Sequence, residues 1–138
     1  MAWVLRPWEF QWATELDVLP RYAYTVNKVR EHGQLWCLCS DKGWAVGADP
    51  DLDPVFPIWP HPDFAIVHAV GDWADARVEP ISIDHWRDSI TPMLESKGMA
   101  VGVFMANDRW VHVWPARFLE HLESEPRKHY DLPRSKER

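Results

Sequence analysis

The sequence predicts an α+β fold in which helices pack on a mixed, mostly antiparallel sheet of about five to six strands. Apolar patterns with helical and strand periods alternate along the chain, which is typical of folds that layer helices on a sheet. Glycine, proline, asparagine and aspartate separate these segments, as expected of turns. With 138 residues, of which 46% are hydrophobic, the chain is long enough for one domain with a sizeable core.

The first 33 residues are predicted to form two helices. Trp8, Trp12 and Leu16 follow helical spacing over residues 1–18, which favours a short amphipathic helix, with a strand as the alternative. A second helix is predicted from Pro20 to Gly33, because proline suits a first turn and glycine takes the left-handed conformation that ends helices. Its predicted inward face consists of Tyr22, Val26 and Val29.

Three strands are predicted next. The nearly all-apolar run Gln34–Ser40 has the length of a strand that is buried on both faces. Asp41-Lys42-Gly43 is a hairpin connection to a returning strand at 44–48. The third strand, Pro54–Trp59, contains prolines that cannot donate a ladder hydrogen bond, so we expect it at an edge, a bulge or a strand end. A helix is excluded there, because each interior proline costs roughly 3 kcal/mol.

Residues 62–96 are predicted to form a helix, a strand and a second helix. His61 stands at the N-cap position before Pro62, and the helix at 62–70 is expected to bury Phe64, Val67 and His68. A short strand follows at 78–83. Ser82 is expected to cap a helix that runs to about residue 96, with a kink or a break at Pro92. The predicted inward face of that helix consists of Ile83, Trp86, Ile90, Met93 and Leu94.

Two strands and a helix complete the predicted domain. Strands at 99–106 and 110–114 are joined by Asn107-Asp108-Arg109, and Asn and Asp tolerate the left-handed conformations of a tight turn. The last helix, from 115 to about 123, is expected to turn Phe118, Leu119 and Leu122 inward. The predicted organisation is a Trp-rich N-terminal extension at 1–19, one α+β domain at 20–124, and a charged, mobile tail at 125–138.

The composition predicts a cytoplasmic protein without a nucleic-acid or membrane partner. The net charge is −6, whereas binding to a phosphate backbone requires clustered Lys and Arg. The sequence contains neither a signal-peptide pattern nor a run of about 18 apolar residues. Cys37 and Cys39 are two apart on a predicted strand, which is a poor disulfide geometry and differs from Cys-x-x-Cys motifs. We therefore expect reduced thiols in a reducing compartment.

The most specific motif in the chain is Phe56-Pro57-x-Trp59-Pro60, which is followed by Phe64-Ala65. It lies in an ordered series of motifs, WCLCSDKGWAV, VFPIWPHPDFA, GDW, EPISIDHW and MLESKGMAVGVF. Over about residues 20–122, this series resembles the bacterial domain-of-unknown-function family 2750. It is similar, more loosely, to the enhanced-serine-sensitivity protein B-like domains, which are small α/β modules. The resemblance implies a fold and a bacterial origin, and it implies no activity.

Familiar catalytic and metal-binding motifs are absent from the sequence. The seven histidines lack the spacing that zinc sites favour, and there is no Gly-x-Ser-x-Gly nucleophile elbow. Asp49, Asp51 and Asp53 alternate like the first ligands of a calcium loop, but proline occupies the positions that require glycine and glutamate. No glycine-rich phosphate loop is present. The sequence therefore predicts no catalytic residue, no metal site and no cofactor.

Two main functional hypotheses remain, and the first is a non-catalytic cytosolic module that binds another protein. The ten tryptophans favour it, because tryptophan dominates binding hot spots, and size and acidic charge suggest by analogy an immunity-type antidote to a toxin. The alternative is a small-molecule binder or hydrolase-type enzyme with a pocket beside the Phe56–Phe64 turn. A homodimer is a third hypothesis. The candidate binding residues are Trp36, Trp44, Trp59, His61, Asp63, His68, Trp110, His112 and Trp114.

Overall fold

The computed structural model describes residues 2–48 and 53–124, and over these residues the α+β prediction is confirmed. The helices are α1 Pro7–Glu15, α2 Val18–His32, α3 Pro62–Ile66, α4 Ile83–His85, α5 Thr91–Ser96 and α6 Pro115–Glu123. The strands are β1 Gln34–Ser40, β2 Gly43–Trp44, β3 Gly47–Ala48, β4 Pro54–Ile58, β5 Arg77–Ser82, β6 Ala100–Ala106 and β7 Arg109–Val113. Asp49, Asp51 and the predicted tail at 125–138 lie outside the described residues.

The strands form two sheets, where the sequence predicted one. The first has the order β2-β1-β5 and is antiparallel, and the second has the order β3-β4-β6-β7, with β4 and β6 parallel. Trp36 and Trp59 join the two sheets, because each backbone N–H donates to the other residue's carbonyl over 2.9 Å. The predicted returning strand at 44–48 is divided accordingly, with β2 on one sheet and β3 on the other.

Strand β4 lies inside its sheet despite its prolines. It pairs with β6 along one edge, and along the other with β3 at Pro54 and Val55 and with β1 through Trp59. Along that second edge the N–H groups of alternate residues point outward. Pro57 falls between Val55 and Trp59, at the gap where β3 has ended and the bridge to β1 has not begun. The missing donor of Pro57 therefore leaves no ladder bond unmade.

Local signals in the sequence end or begin several elements as predicted. Gly33 ends α2 with φ 76° and donates to the carbonyl of Val29 over 2.8 Å. The Ser82 hydroxyl caps the following helix by accepting the N–H of His85 over 3.1 Å. Asn107 and Asp108 join β6 to β7 with φ values of 53° and 61°, the left-handed pair of a two-residue hairpin turn.

The predicted break at Pro92 takes the form of a π-helical turn. Residues Trp86–Ile90 connect α4 to α5, and the N–H of Thr91 donates to the carbonyl of Trp86, five residues earlier. The widened turn precedes the proline, which cannot donate a hydrogen bond to the turn before it. The helical path therefore continues to Ser96 with Trp86, Ile90 and Leu94 buried, as predicted.

Two predicted helices bury different side chains from those expected. In α1, Trp8 and Trp12 are 67% and 50% exposed, because α1 packs through Phe10, whose ring stacks on Phe64 with centroids 5.2 Å apart. Helix α3 ends at Ile66, four residues earlier than predicted. Val67 is therefore exposed rather than buried.

The N-terminal extension predicted at 1–19 contacts the domain closely. The Trp3 indole donates to the Pro60 carbonyl over 3.3 Å, and the Trp3 carbonyl bonds Nε2 of His61 over 2.7 Å. The Trp3 ring also stacks on His32 with centroids 4.9 Å apart. The predicted boundary after residue 19 lies within α2, so the extension and the domain share one helix.

Candidate functional site

Two adjoining cavities form one groove on the surface. The larger has a volume of about 450 Å³ and the smaller about 180 Å³, and both are lined by Val46, Asp72 and Trp73. We call the combined surface the Trp73 groove. The larger cavity is also lined by Gly47, Ala48, His68 and Val70, and the smaller by Ser40, Lys42, Gly43, Trp44, Ala45, Asp75 and Ala76.

One wall of the Trp73 groove is a series of tight turns after α3. Backbone N–H groups of His68, Val70, Trp73 and Ala76 donate to carbonyls two to three residues earlier, over 2.8 to 3.0 Å. Gly71 lies within this series with φ 59°, a conformation that costs glycine little. Because these backbone groups are satisfied locally, the wall exists without a ligand.

The other wall is the ribbon of residues 44–48 that crosses from β2 to β3. The Trp73 indole contacts this ribbon, because a Cβ atom at Gly47 would lie 3.8 Å from its Cη2 and Cζ2 atoms, an ordinary contact distance. Trp44 is held at the opposite end by an edge-to-face contact with Phe56, with ring centroids 5.7 Å apart. The groove therefore has an indole in its floor and another at its rim.

His68 contributes a polar group to the larger cavity. Its ring stacks on Trp59, with centroids 5.1 Å apart and an interplanar angle of 22°. Burial lowers the pKa of His68 below its usual value, although a hydrogen bond to the Met105 backbone and the charge of Asp108 act in the opposite direction. The imidazole is therefore neutral at pH 7.

The carbonyl of Met105 fixes the stacked pair of Trp59 and His68 by hydrogen bonds. It accepts the indole N–H of the fully buried Trp59 over 3.0 Å. The neighbouring residue Phe104 has φ 52°, which is unusual for a bulky side chain, and it lies where the pairing of β6 with β7 shifts register between Val103 and Ala106. The bulge in β6 therefore lies directly before the Met105 carbonyl, which accepts hydrogen bonds from both Trp59 and His68.

Exposed apolar side chains line the groove and adjoin it in the chain. Among the described residues nine large hydrophobic side chains are exposed; three of them, Trp44, Val46 and Val70, line the groove, and Ile66 and Val67 lie a few residues before Val70. The exposed fractions of these five side chains range from 41% to 66%. The other four, Val4, Trp8, Trp12 and Leu19, lie on the N-terminal segment. Clusters of this kind on a folded surface mark interaction sites.

The structure separates the histidines of the predicted pocket. His61 is buried and caps α3, since its Nδ1 accepts the N–H of Asp63 over 3.1 Å while its Nε2 donates to the Trp3 carbonyl. The Asp63 carboxylate is exposed, 3.8 Å from His61. His68 lines the groove, and His61 and Asp63 do not.

The predicted aromatic residues also divide between core and surface. Trp36 and Trp59 are buried at the junction of the two sheets. Trp110 is partly buried and donates its indole N–H to Nε2 of the buried His112 over 3.2 Å, so the two side chains bind each other. Trp114 lines a separate cavity of about 380 Å³ between α5 and α6, which none of the nine exposed hydrophobic residues lines. Of the predicted binding residues, the groove brings together Trp44 and His68.

Reactive and metal-binding groups are sparse in the described part of the chain. Over residues 2–48 and 53–124, no group of three or more His, Cys, Asp or Glu side chains is placed to hold a metal ion. Cys37 and Cys39 are free thiols, and burial raises the pKa of Cys37 to about 12, which keeps that thiol protonated and unreactive. No helix in these ranges has both the length and the apolar character needed to cross a membrane.

Comparison with protein families identifies the family of the chain. The model of a family described as "Protein of unknown function (DUF2750)" matches residues 22–122, which is most of the chain. The chain belongs to the DUF2750 family. No match was found among curated proteins. The looser similarity to enhanced-serine-sensitivity protein B-like domains stays a prediction.

The family match places the groove within the DUF2750 domain. Both walls, at 44–48 and 66–76, fall inside residues 22–122, whereas the exposed residues of the N-terminal segment fall outside. Sequence reasoning did not select Val46, Val70, Asp72 or Trp73 as site residues, although Trp73 was part of the family motif series. The signal available in the sequence was the GDW motif, which directly follows a run of mostly apolar residues. Only the tertiary fold places the turn that carries this motif against β3.

Proposed function

We propose that this DUF2750 protein is a non-catalytic module that binds another protein, and that the Trp73 groove is its binding surface. The observation that carries the proposal is the concentration of exposed apolar side chains around a concave, preformed groove. A hot spot of this kind combines a central aromatic residue with apolar neighbours and a polar rim. Trp73 supplies the first, Val46 and Val70 the second, and Asp72 the third.

The groove is a better binding surface than the other candidates. The exposed residues of the N-terminal segment lie outside the DUF2750 domain, and none of the large exposed hydrophobic side chains of the described residues lines the cavity between α5 and α6. The groove, in contrast, lies within the residues that the family model matches, and exposed apolar side chains line it.

We propose further that the protein acts in the bacterial cytosol. Free thiols at Cys37 and Cys39 fit a reducing compartment, and an acidic chain fits a partner that carries positive charge. A toxin that the protein neutralises is a narrower form of this proposal, supported by size and charge.

A small-molecule pocket in the larger cavity is the second candidate function. His68 favours it, because a neutral imidazole fixed by Trp59 and the Met105 backbone has the chemistry to bind or deprotonate a ligand. Substitution of His68 by Gln separates the candidates. Protein binding is expected to survive this change nearly intact, whereas a pocket that depends on the imidazole is expected to lose its ligand.

The proposal is tested by capture with two matched variants. The test immobilises three full-length proteins at micromolar concentration, namely the original protein, Val70→Asp and Val4→Asp. Each is then exposed to extract of the source cell. Val70 and Val4 are 66% and 76% exposed, so neither change disturbs the core. We expect a stoichiometric partner to bind the original protein and Val4→Asp, and to bind Val70→Asp about tenfold more weakly, which corresponds to about 1.4 kcal/mol.

Two results would contradict the protein-binding proposal. One is the absence of any stoichiometric partner under these conditions. The other is equal retention of the partner by Val70→Asp and Val4→Asp, which would place the binding surface elsewhere.

A further inference from the structure

We propose that the smaller cavity of the Trp73 groove binds a cationic side chain, arginine or lysine, of the protein partner. The larger cavity then receives an apolar residue beside it. This inference rests on the proposed protein-binding function and specifies the chemistry of the segment that the groove accepts.

Two indoles line the smaller cavity. Trp44 is 41% exposed and stands at the rim, while Trp73 is partly buried and forms the floor that both cavities share. The negative face of an indole attracts ammonium and guanidinium groups, and tryptophan is the strongest of the aromatic side chains in this respect. Paired aromatic walls are a recurring way to recognise cations.

Two carboxylates line the same cavity and have no partner among residues 2–48 and 53–124. Asp72 and Asp75 are both exposed, and within the described residues neither carboxylate takes part in a hydrogen bond or an ion pair. Nearby carboxylates differ in this respect, because Asp41 and Glu79 pair with Arg77 at 3.7 Å and 2.6 Å. Two acceptor groups therefore remain available for a cation.

The charge of the cavity lining favours a positive ligand. Asp72 and Asp75 contribute two negative charges and Lys42 contributes one positive charge, so the lining carries a net charge of −1. The whole chain carries −6, which adds a long-range attraction for a basic partner. Arginine suits the site better than lysine, because its planar guanidinium stacks on indoles and bonds carboxylates at its edge.

The larger cavity explains why the ligand is a side chain of a protein rather than a free cation. It continues directly from the smaller one past Trp73, and Val46, Ala48 and Val70 make it mainly apolar. A segment that presents an apolar residue next to an arginine fills both cavities at once. A small cation alone would leave the larger cavity and its exposed rim unused.

The test uses the full chain and two short peptides. The probes are acetyl-isoleucyl-arginyl-isoleucine amide and the same peptide with glutamine in place of arginine. Binding is followed by the ¹H–¹⁵N signals of the indole groups, which are assigned with Trp44→Phe and Trp73→Phe. We expect the arginine peptide to shift the signals of Trp44 and Trp73 with millimolar affinity, and the glutamine peptide to bind at least fivefold more weakly.

A matched pair of double variants isolates the carboxylates. Asp72→Asn combined with Asp75→Asn is expected to reduce affinity for the arginine peptide about fivefold. Asp84→Asn combined with Asp88→Asn removes the same charge from carboxylates near Arg87, outside the groove, and is expected to leave the affinity unchanged. The inference is overturned if the arginine peptide shifts neither indole signal, if both peptides bind equally, or if the two double variants behave alike.

The same double variants separate this inference from the proposed function. If the partner from cell extract is lost from Val70→Asp and retained in full by Asp72→Asn with Asp75→Asn, the groove binds a protein but not through a cation. Loss from both supports the inference. Retention by both contradicts the protein-binding proposal itself.

Discussion

Substitution of Gly102 by alanine tests how tightly the second sheet is packed. Gly102 lies in β6 opposite Pro57 of β4 and His112 of β7. A Cβ atom at this position would lie 2.5 Å from Cγ1 of Val55 and 3.2 Å from Cδ1 of Trp110. The first contact is about 1 Å too short, and a buried, β-branched side chain has little freedom to move away. The strand therefore has space for glycine and for no larger residue.

The expected cost follows from this overlap. Overpacking of a buried site destabilises by about 1 to 3 kcal/mol, and Gly102→Ala is expected to lie in the upper half of that range. Val55→Ala alone is expected to cost about 2 kcal/mol, since it removes two buried methyl groups. In the double variant the shortest contact is gone, so its cost is expected to fall at least 1 kcal/mol short of the sum.

These free energies of unfolding are measured by urea unfolding, followed by tryptophan fluorescence, of four proteins: the original chain, Gly102→Ala, Val55→Ala and the double variant. Gly98→Ala serves as the control, because Gly98 has φ 63° and open space where a Cβ atom would be. Its cost of about 1 to 2 kcal/mol arises from the backbone, and Val55→Ala is expected to leave it unchanged. Additive costs for Gly102→Ala and Val55→Ala, within about 0.5 kcal/mol, would refute the packing argument.

Three further predictions concern buried polar groups. His61→Ala is expected to destabilise by about 1 to 3 kcal/mol, because it removes both the helix cap at Asp63 and the bond to the N-terminal segment, and faster amide exchange at Asp63 would identify the lost cap. Cys39 is expected to react with iodoacetamide at pH 8 well before Cys37, whose pKa burial raises to about 12, and mass spectrometry of the native protein would reveal a reversal. Burial lowers the pKa of His68, so as the pH falls the unfolded chain binds a proton at this imidazole before the folded protein does. The free energy of unfolding is therefore expected to stay constant above about pH 6.5 and to fall below it by at most about 1.4 kcal/mol per pH unit. Urea unfolding between about pH 7.5 and 5.5 is expected to show a smaller fall in His68→Gln.

Elements with strong local signals were predictable from the sequence. The glycine after α2, the serine before α4 and the Asn-Asp pair between β6 and β7 each determine a backbone conformation within a few residues. Strand β1 was predicted with its observed bounds, because a mostly apolar run of seven residues between a glycine and a turn has the length and composition of a buried strand. In these cases the chain neighbours of a residue supply most of its physical constraints.

Other features depend on contacts between distant segments, which the sequence pattern does not contain. The division of residues 44–48 between two sheets follows from the Trp36–Trp59 bridge, and the exposed face of α1 follows from the stacking of Phe10 on Phe64. The candidate site depends on the same kind of contact. Trp44 and His68 were chosen from the sequence as binding residues. Trp73 becomes part of the site only because the turn after α3 packs against β3.

The central claim, that the Trp73 groove is where a protein partner binds, is tested most directly by crosslinking in the source cell. A photo-reactive benzoyl-phenylalanine replaces Val70 in one form of the full-length protein and Val4 in another, two exposed valines on different surfaces. We predict that light joins one partner protein to position 70 in high yield and leaves position 4 without that product. Equal products from both positions, or a defined product from position 4 alone, would contradict the account.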